Sequence, residues 1–226
     1  MNRRAMTYTF PPFRNFHAFR ASRRSGVFRT IGAVILPLAL LACNGEPTGT
    51  PEGPPLEGAA IGGPFTLVDK DGKTVKWEDF QGKYRIVYFG YTFCPDACPM
   101  DVQAMMQGFS RFEQSHPELA RDVQPIFISI DPARDTPGVV GEFTAAFSPR
   151  LLGLTGTPEQ VDQAAKAFAV YYAKGHESSG GYLMDHSRAA YLMDRDGKPI
   201  ALLPVEKQPP GDAPPAIAAD LEKWVK

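Results

Sequence analysis

Two of the three cysteines in this chain of 226 residues lie close together, in the stretch FGYTFCPDACPMD. Cys94 and Cys98 are four residues apart, and residues at this spacing share one face of a helix. Two thiols placed in this way can close a disulfide, because Cα separations of roughly 4.4–6.8 Å are bridgeable. They can equally bind one metal ion, since the start of a helix favours the thiolate form. The spacing leaves three alternatives open: a structural disulfide, a redox pair and a metal site.

A metal site would need a further ligand, because structural zinc, for example, takes four. Of the four histidines, His17 lies in the arginine-rich stretch before Cys43, His116 precedes a proline at a predicted helix end, and His176 lies in a polar loop. His186 stands just before an apolar strand, with Asp185 beside it. Two cysteines and one histidine form a soft ligand set that suits copper, as Cu⁺ or Cu²⁺. From the residues alone, a copper site and a redox dithiol are equally sensible.

The elements around the cysteines predict an α/β domain. The run YRIVYFG at residues 84–90 has the composition of a buried central strand, and a helix follows from Cys98 to about residue 116. The other predicted elements are, in chain order, a hairpin through Asp71-Gly72, a strand at 123–130, a helix at 136–147, a strand at 151–154, a helix at 158–170, a hairpin through Asp196-Gly197 and a helix at 214–225. This order predicts a central sheet flanked by helices, with an N-terminal β-hairpin and the cysteines at the carboxyl end of the central strand.

The first sixty residues have the composition of an export signal followed by a linker. Seven arginines and no acidic residue precede Cys43, and an apolar run leads up to it. The end of that run, Leu40-Leu41-Ala42-Cys43, resembles the lipobox of bacterial lipoproteins, which predicts a signal peptide over 1–42 and a lipid on Cys43. Residues 43–60 are rich in Gly, Pro, Glu and Thr and predict a flexible tether. The domain at 61–226 is then expected on the periplasmic face of a bacterial membrane, where disulfides persist.

The charge of the domain disfavours one class of function. Without the leader, the chain has 17 basic and 25 acidic residues. A net acidic domain does not favour binding to nucleic acid, which needs a basic surface.

Several stretches resemble the Sco/SenC family of membrane-tethered copper proteins, and they occur in that family's order. They are GGPFTLVDKDGKTV, KYRIVYFGYTFCPDACPMD, FISIDPARDTP and DHSRAAYLMDRDGK, and the likeness covers residues 61–225. The resemblance implies a thioredoxin-like fold with Cys94, Cys98 and His186 as the copper ligands. It also implies delivery of copper to the binuclear copper site of cytochrome c oxidase subunit II. Other periplasmic copper chaperones and a membrane, reached through the lipid anchor, are the further partners expected.

Two enzyme-like alternatives stay open beside this metallochaperone role. A thiol–disulfide reductase that keeps the copper-site cysteines of the oxidase reduced would need the two cysteines but not His186. The Cys-x₃-Cys spacing and the lack of proline in GGYLMDHSRAAYL differ from ordinary thioredoxins. A peroxiredoxin-like peroxidase is the weaker alternative, because Thr92 alone does not supply the activating groups. We therefore expect a metallochaperone rather than an enzyme.

Three further expectations concern residues near these motifs. Asp185 is expected to orient His186, because metal-bound imidazoles often donate their second N–H to a carboxylate. The motif DPARDTP is expected to form a structural turn, with Asp131 near the end of a strand. Methionines at helical spacing are expected to pack in the core rather than to bind copper; they are Met100, Met105 and Met106.

Overall fold

The computed structural model describes residues 53–178 and 181–226. The predicted signal peptide, the predicted lipid site Cys43 and the first part of the predicted tether lie outside the described residues. Within them, no helix is both long and apolar enough to cross a bilayer. Leu56 packs against the core, and its N–H donates to the carbonyl of Ile200 at 3.0 Å. Leu56 lies upstream of residue 61 and already contacts the sheet. The domain boundary at residue 61 stays a prediction.

Five strands form a mixed central sheet. They are β3 (Tyr84–Gly90), β4 (Val123–Ser129), β5 (Leu152–Leu154), β8 (Ala190–Met193) and β9 (Pro199–Leu203). Their spatial order is β5-β4-β3-β8-β9, with β3 parallel to β4 and antiparallel to β8. All seven residues of β3 are buried, because strands of the same sheet lie on both of its sides and helices cover its faces. The predicted central strand is confirmed.

Helices follow the strands much as predicted. They are α1 (Ala97–Ser115), α2 (Pro117–Ala120), α3 (Pro137–Ala145), α4 (Pro158–Ala167) and α5 (Ala213–Trp224). Helix α4 begins with a capping box, in which the Thr157 hydroxyl accepts from the Gln160 N–H and the Gln160 side chain accepts from the Thr157 N–H. Helices α1 and α5 pack tightly, since a Cβ on Gly108 would lie 2.6 Å from Ile217. The predicted flanked sheet is confirmed.

Two antiparallel pairs form around the predicted DKDGK and DRDGK turns. Strands β1 (Thr66–Val68) and β2 (Thr74–Lys76) make the N-terminal pair, and β8 pairs with β9. In each turn the first aspartate, Asp69 or Asp194, accepts two backbone N–H groups with one carboxylate oxygen. Both hairpin predictions are therefore confirmed.

A further hairpin occupies the segment that the sequence predicted as a polar loop. Strand β6 (Tyr172–Ser178) pairs antiparallel with β7 (Gly181–His186), and among the described residues these two strands pair only with each other. The sequence AKGHESSGGYLMDH is polar and rich in glycine, so it lacks the apolar run by which the central strands were predicted. His186 is the last residue of this hairpin.

Candidate metal centre

The two cysteines lie where the central strand ends and α1 begins. Strand β3 ends at Gly90, the chain turns, and α1 begins at Ala97. Cys94 in the turn is partly exposed, and Cys98 in the first turn of α1 is fully buried. Both are free thiols, and the Cys98 N–H points to the Cys94 sulfur at 3.3 Å. The Cys94 sulfur therefore lies at the start of α1 and accepts a backbone N–H of the first turn, although Cys94 itself precedes the helix.

The loop that carries Cys94 is held by a buried carboxylate from the next strand connection. Asp135 accepts hydrogen bonds from the Thr92 N–H at 3.0 Å and from the Thr92 hydroxyl at 2.6 Å. The Ser129 hydroxyl at the end of β4 donates to the same carboxylate at 2.6 Å. Thr92 thus anchors the loop and is engaged with Asp135.

His186 comes from the far end of the sequence to the buried cysteine. Its Nε2 lies 3.3 Å from the Cys98 sulfur, and its Nδ1 lies 2.9 Å from the carbonyl oxygen of Ser187. The rings of Tyr88 and Tyr91 meet the imidazole edge-on, at centroid distances of 6.4 and 5.9 Å. An Nδ1–H that donates to the Ser187 carbonyl leaves Nε2 with a lone pair directed at the Cys98 thiol.

Cys98 therefore contacts both of the other predicted ligands. The described residues contain no group of three or more His, Cys, Asp and Glu side chains already arranged as a metal site. A metal ion at this place would have to draw Cys94 and His186 together around Cys98. The donor set, two sulfurs and one imidazole nitrogen, fits a soft ion that accepts low coordination numbers.

The structure does not bring Asp185 to the imidazole. Residues alternate between the two faces of β7, so Tyr182, Met184 and His186 are partly buried whereas Leu183 and Asp185 are exposed. The acceptor beside Nδ1 is instead the Ser187 carbonyl, a backbone group that no sequence pattern singles out.

The surroundings shift the pKa values of the three groups in different directions. Burial raises the pKa of Cys94, but the N–H groups of Cys98 and Asp96 outweigh it, so the pKa of Cys94 is lowered. Deeper burial raises the pKa of Cys98 well above the usual thiol value. Burial lowers the pKa of His186, which keeps the imidazole neutral near pH 7. We therefore expect Cys94 to be the more reactive thiol and His186 to act as a neutral nitrogen donor.

An ion pair that the sequence did not predict joins the cysteine helix to the histidine segment. Asp101, one turn after Cys98, is buried, and it accepts from Arg188 Nε at 2.8 Å and Nη2 at 2.6 Å. The Tyr88 hydroxyl donates to the same carboxylate at 2.9 Å. Arg188 follows His186 by two residues, so this bidentate pair ties the two ligand-bearing segments together. The one feature of the sequence that indicates this ion pair is an acidic residue, Asp101, at a core-facing position of a helix.

The other candidates of the sequence lie elsewhere. Met105 and Met106 are buried in the core as predicted, but Met100 is 44% exposed because it lies on the outer face of α1, so its core prediction is wrong. His176 is exposed on β6. His116 follows the last residue of α1 as predicted, and its backbone N–H donates to the Phe112 carbonyl at 2.7 Å.

Comparison with known proteins identifies the family of this chain. A family model described as SCO1/SenC matches residues 53–226. The chain belongs to the SCO1/SenC family. Protein SenC of Rhodobacter capsulatus is 48% identical over 136 residues, which cover 60% of this chain and 60% of SenC. The matched part covers less than two thirds of the length of these curated relatives: 60% of SenC and 42% of Protein SCO1 homolog 1 of Arabidopsis thaliana.

Solved structures of this family share the fold. Bradyrhizobium japonicum ScoI, solved with copper bound, has 37% sequence identity and a TM-score of 0.64, and the match covers 73% of this chain and 99% of ScoI. BsSco, described with a disulfide switch as a member of the Sco family of cytochrome c oxidase assembly proteins, is 26% identical with a TM-score of 0.52, over 70% of this chain and 95% of BsSco. The predicted thioredoxin-like fold is therefore confirmed.

Proposed function

We propose that this protein binds one copper ion through Cys94, Cys98 and His186. The observation that carries the proposal is the 3.3 Å separation of the Cys98 sulfur and His186 Nε2, which joins side chains 88 residues apart in the sequence. Thiolate and neutral imidazole are good ligands for both oxidation states of copper. The copper in the similar ScoI structure supports the choice of metal.

The bound copper is cargo, and the site delivers it to the binuclear copper site of cytochrome c oxidase. The chain binds the oxidase subunit that holds this site, and the copper passes by ligand exchange to acceptor thiolates. Lipidated Cys43 tethers the domain to the membrane, on the periplasmic side where the acceptor site lies. The description of BsSco as an oxidase assembly protein supports this role.

The oxidation state of the two cysteines controls loading. Copper uptake needs both sulfurs as thiolates, so a Cys94–Cys98 disulfide cannot bind the ion. The disulfide forms when the Cys94 thiolate attacks a disulfide of a partner and the Cys98 thiolate then displaces the partner's sulfur. Two electrons pass to the partner, which leaves as a dithiol.

The same exchange defines a second candidate function, a reductase for the copper-site cysteines of the oxidase. The observation that favours it is the pair of adjacent free thiols, with the lowered pKa on the more exposed one. Reduction of a disulfide requires Cys94 and Cys98 but does not require His186.

Copper titration of variants tests the leading function. The reduced full chain is expected to take up one copper, and His186→Ala is expected to weaken binding by roughly 100-fold or more, because a ligand is lost. His176→Ala is the matched control, since His176 lies on the same hairpin with an exposed side chain. Equal affinities of His186→Ala and His176→Ala would contradict the three-ligand site.

Disulfide exchange by the same variants separates the two functions. The reductase candidate predicts that His186→Ala reduces a disulfide peptide of the acceptor site as fast as the unaltered chain does. Cys94→Ser serves as the inactive control. Failure of the unaltered chain to exceed Cys94→Ser would remove the reductase candidate.

A further inference from the structure

The turn formed by the motif DPARD contacts both segments that carry proposed ligands. On one side, Asp135 holds Thr92, two residues before Cys94. On the other side, Asp131 accepts a hydrogen bond at 2.8 Å from the hydroxyl of Tyr182, which precedes His186 by four residues. The sequence predicted this motif only as a structural turn, but the turn lies where the cysteine loop meets the histidine hairpin.

Arg134 in this turn bridges the two segments directly. Its Nε donates to Asp131 at 2.5 Å, and its Nη1 donates to the backbone carbonyl of Tyr182 at 2.9 Å. Its Cζ lies 3.6 Å from the centre of the Tyr182 ring and 4.9 Å from the centre of the Phe93 ring. Phe93 is the neighbour of Cys94 and is 51% exposed. One guanidinium group thus contacts a residue beside the first cysteine and a residue of the histidine strand.

These contacts matter because, in the part of the chain that the structure describes, no ladder joins the hairpin to the central sheet. Among the described residues, β6 and β7 hydrogen-bond as a separate two-stranded sheet, so side-chain contacts with the cysteine loop contribute to the distance from His186 to the cysteines. The Asp131 carboxylate is only 3% exposed and the Arg134 side chain 22%. A charge-assisted bond in such a place is stronger and more directional than one at the surface.

We propose that Arg134 is a positioning residue that sets the approach of His186 to Cys94 and Cys98. It acts by holding Phe93 and Tyr182 against one planar group. Lysine cannot replace it, because an ammonium group has no flat face to stack on Tyr182 and cannot bond Asp131 and the Tyr182 carbonyl in the same plane. The copper part of this inference rests on the proposed function, whereas the positional part concerns the metal-free chain.

Arg134→Lys tests the inference in the full chain, with Arg195→Lys as the matched control. Arg195 also pairs with a carboxylate, Asp122 at 2.8 Å, also donates to a backbone carbonyl, that of Gly82, and also lies over a tyrosine ring, that of Tyr84 at 5.0 Å. Tyr84 is the first residue of β3, whereas the two cysteines come after Gly90, the last residue of that strand. The control therefore has the same chemistry at the opposite end of the central strand.

Two readouts are expected to change in Arg134→Lys and to stay unchanged in Arg195→Lys. In the metal-free chain, amide hydrogen exchange in residues 172–186 becomes faster and the imidazole nitrogen resonances of His186 shift. With Cu²⁺ as the probe, affinity falls by about tenfold, the lower end of what loss of a supporting contact costs a metal site. If Arg134→Lys does not fold, Tyr182→Phe takes its place in the test. This variant removes only the hydroxyl bond to Asp131 and is expected to give a smaller change in the same direction.

A double variant shows whether Arg134 acts through His186. In the His186→Ala background, Arg134→Lys is expected to cause no further loss of Cu²⁺ affinity, because the ligand that it positions is gone. An equal loss in both backgrounds, or unchanged hydrogen exchange in the hairpin of Arg134→Lys, would overturn the inference. If the unaltered chain binds no copper, the proposed function fails, while the metal-free exchange still decides the positional role.

Discussion

The two halves of the candidate site are held in different ways. The cysteines follow β3, which is buried along its whole length and hydrogen-bonded to strands on both sides, and they lead into the 19-residue helix α1. The histidine ends a two-stranded hairpin whose outer face is exposed, with Leu183 54% accessible. Backbone ladders and core packing hold the segment that carries the thiols, whereas the segment that carries the imidazole is joined to its neighbours by side-chain contacts, among them those of Arg134 and Arg188.

The largest effect is expected where the hairpin end is tied to α1. Arg188→Ala leaves the Asp101 carboxylate buried without its cation. It is expected to lower the free energy of unfolding by roughly 2–3 kcal/mol, less than the roughly 3–5 kcal/mol for a fully buried pair, because 35% of the Arg188 side chain is exposed. Chemical denaturation measures it.

Arg121→Ala is the control for this change. Its pair with Glu118 is 71% and 76% exposed, so we expect a loss under about 0.5 kcal/mol. Adding Asp101→Asn to Arg188→Ala should recover part of the loss, since the stranded charge is removed. A loss in Arg188→Ala no larger than in Arg121→Ala would mean that this pair does not hold the hairpin.

The cysteine half should be sensitive to packing instead. A Cβ on Gly90 would lie 2.9 Å from the Tyr88 ring, 3.1 Å from the Phe127 ring and 3.2 Å from the Cys98 sulfur. Gly90→Ala is expected to cost about 1–3 kcal/mol of unfolding free energy, because the rigid core cannot move aside. Thermal denaturation measures the loss.

Gly138→Ala provides the comparison, since a Cβ there meets no atom within 4 Å. In the first turn of α3 it is expected to stabilise the fold by up to about 1 kcal/mol. If Gly90→Ala were tolerated as well as Gly138→Ala, the cysteine half would be softer than its burial indicates.

A smaller difference is expected between the two thiols. The pKa of Cys94 is lowered and that of Cys98 is raised, so at pH 7.5 a larger fraction of Cys94 is thiolate. Iodoacetamide is expected to modify Cys94 at least about ten times faster than Cys98, because a difference of one pKa unit gives a tenfold difference in thiolate. Peptide mass spectrometry of the time course measures both rates, and equal rates would contradict the assignment.

The same contrast explains what could be predicted from the sequence. Strand β3, strand β4 and helix α1 have local patterns, an apolar run or a helical repeat, that record their burial. The hairpin β6–β7 has no such pattern, because its stability comes from contacts such as that of Tyr182 with Asp131, 51 residues away. Cys94, Cys98 and His186 could be named from motif and resemblance, and the structure brings Cys98 next to both others.

The supporting residues could not be predicted in this way. Asp101 is one acid among many until the fold places Arg188 beside it, 87 residues further along the chain. The Ser187 carbonyl, which takes the place expected for Asp185, is a backbone group with no signal of its own in the sequence. Long-range pairing of polar groups depends on the finished fold, so only the structure reveals it.

X-ray absorption at the copper edge can determine whether Cys94, Cys98 and His186 bind copper together. The reduced full chain loaded with one equivalent of Cu⁺ is compared with His186→Ala and with His176→Ala. Two sulfur ligands and one nitrogen ligand are expected in the unaltered chain and in His176→Ala, and the nitrogen ligand is expected to be lost in His186→Ala. An identical copper environment in all three proteins would contradict the three-ligand site.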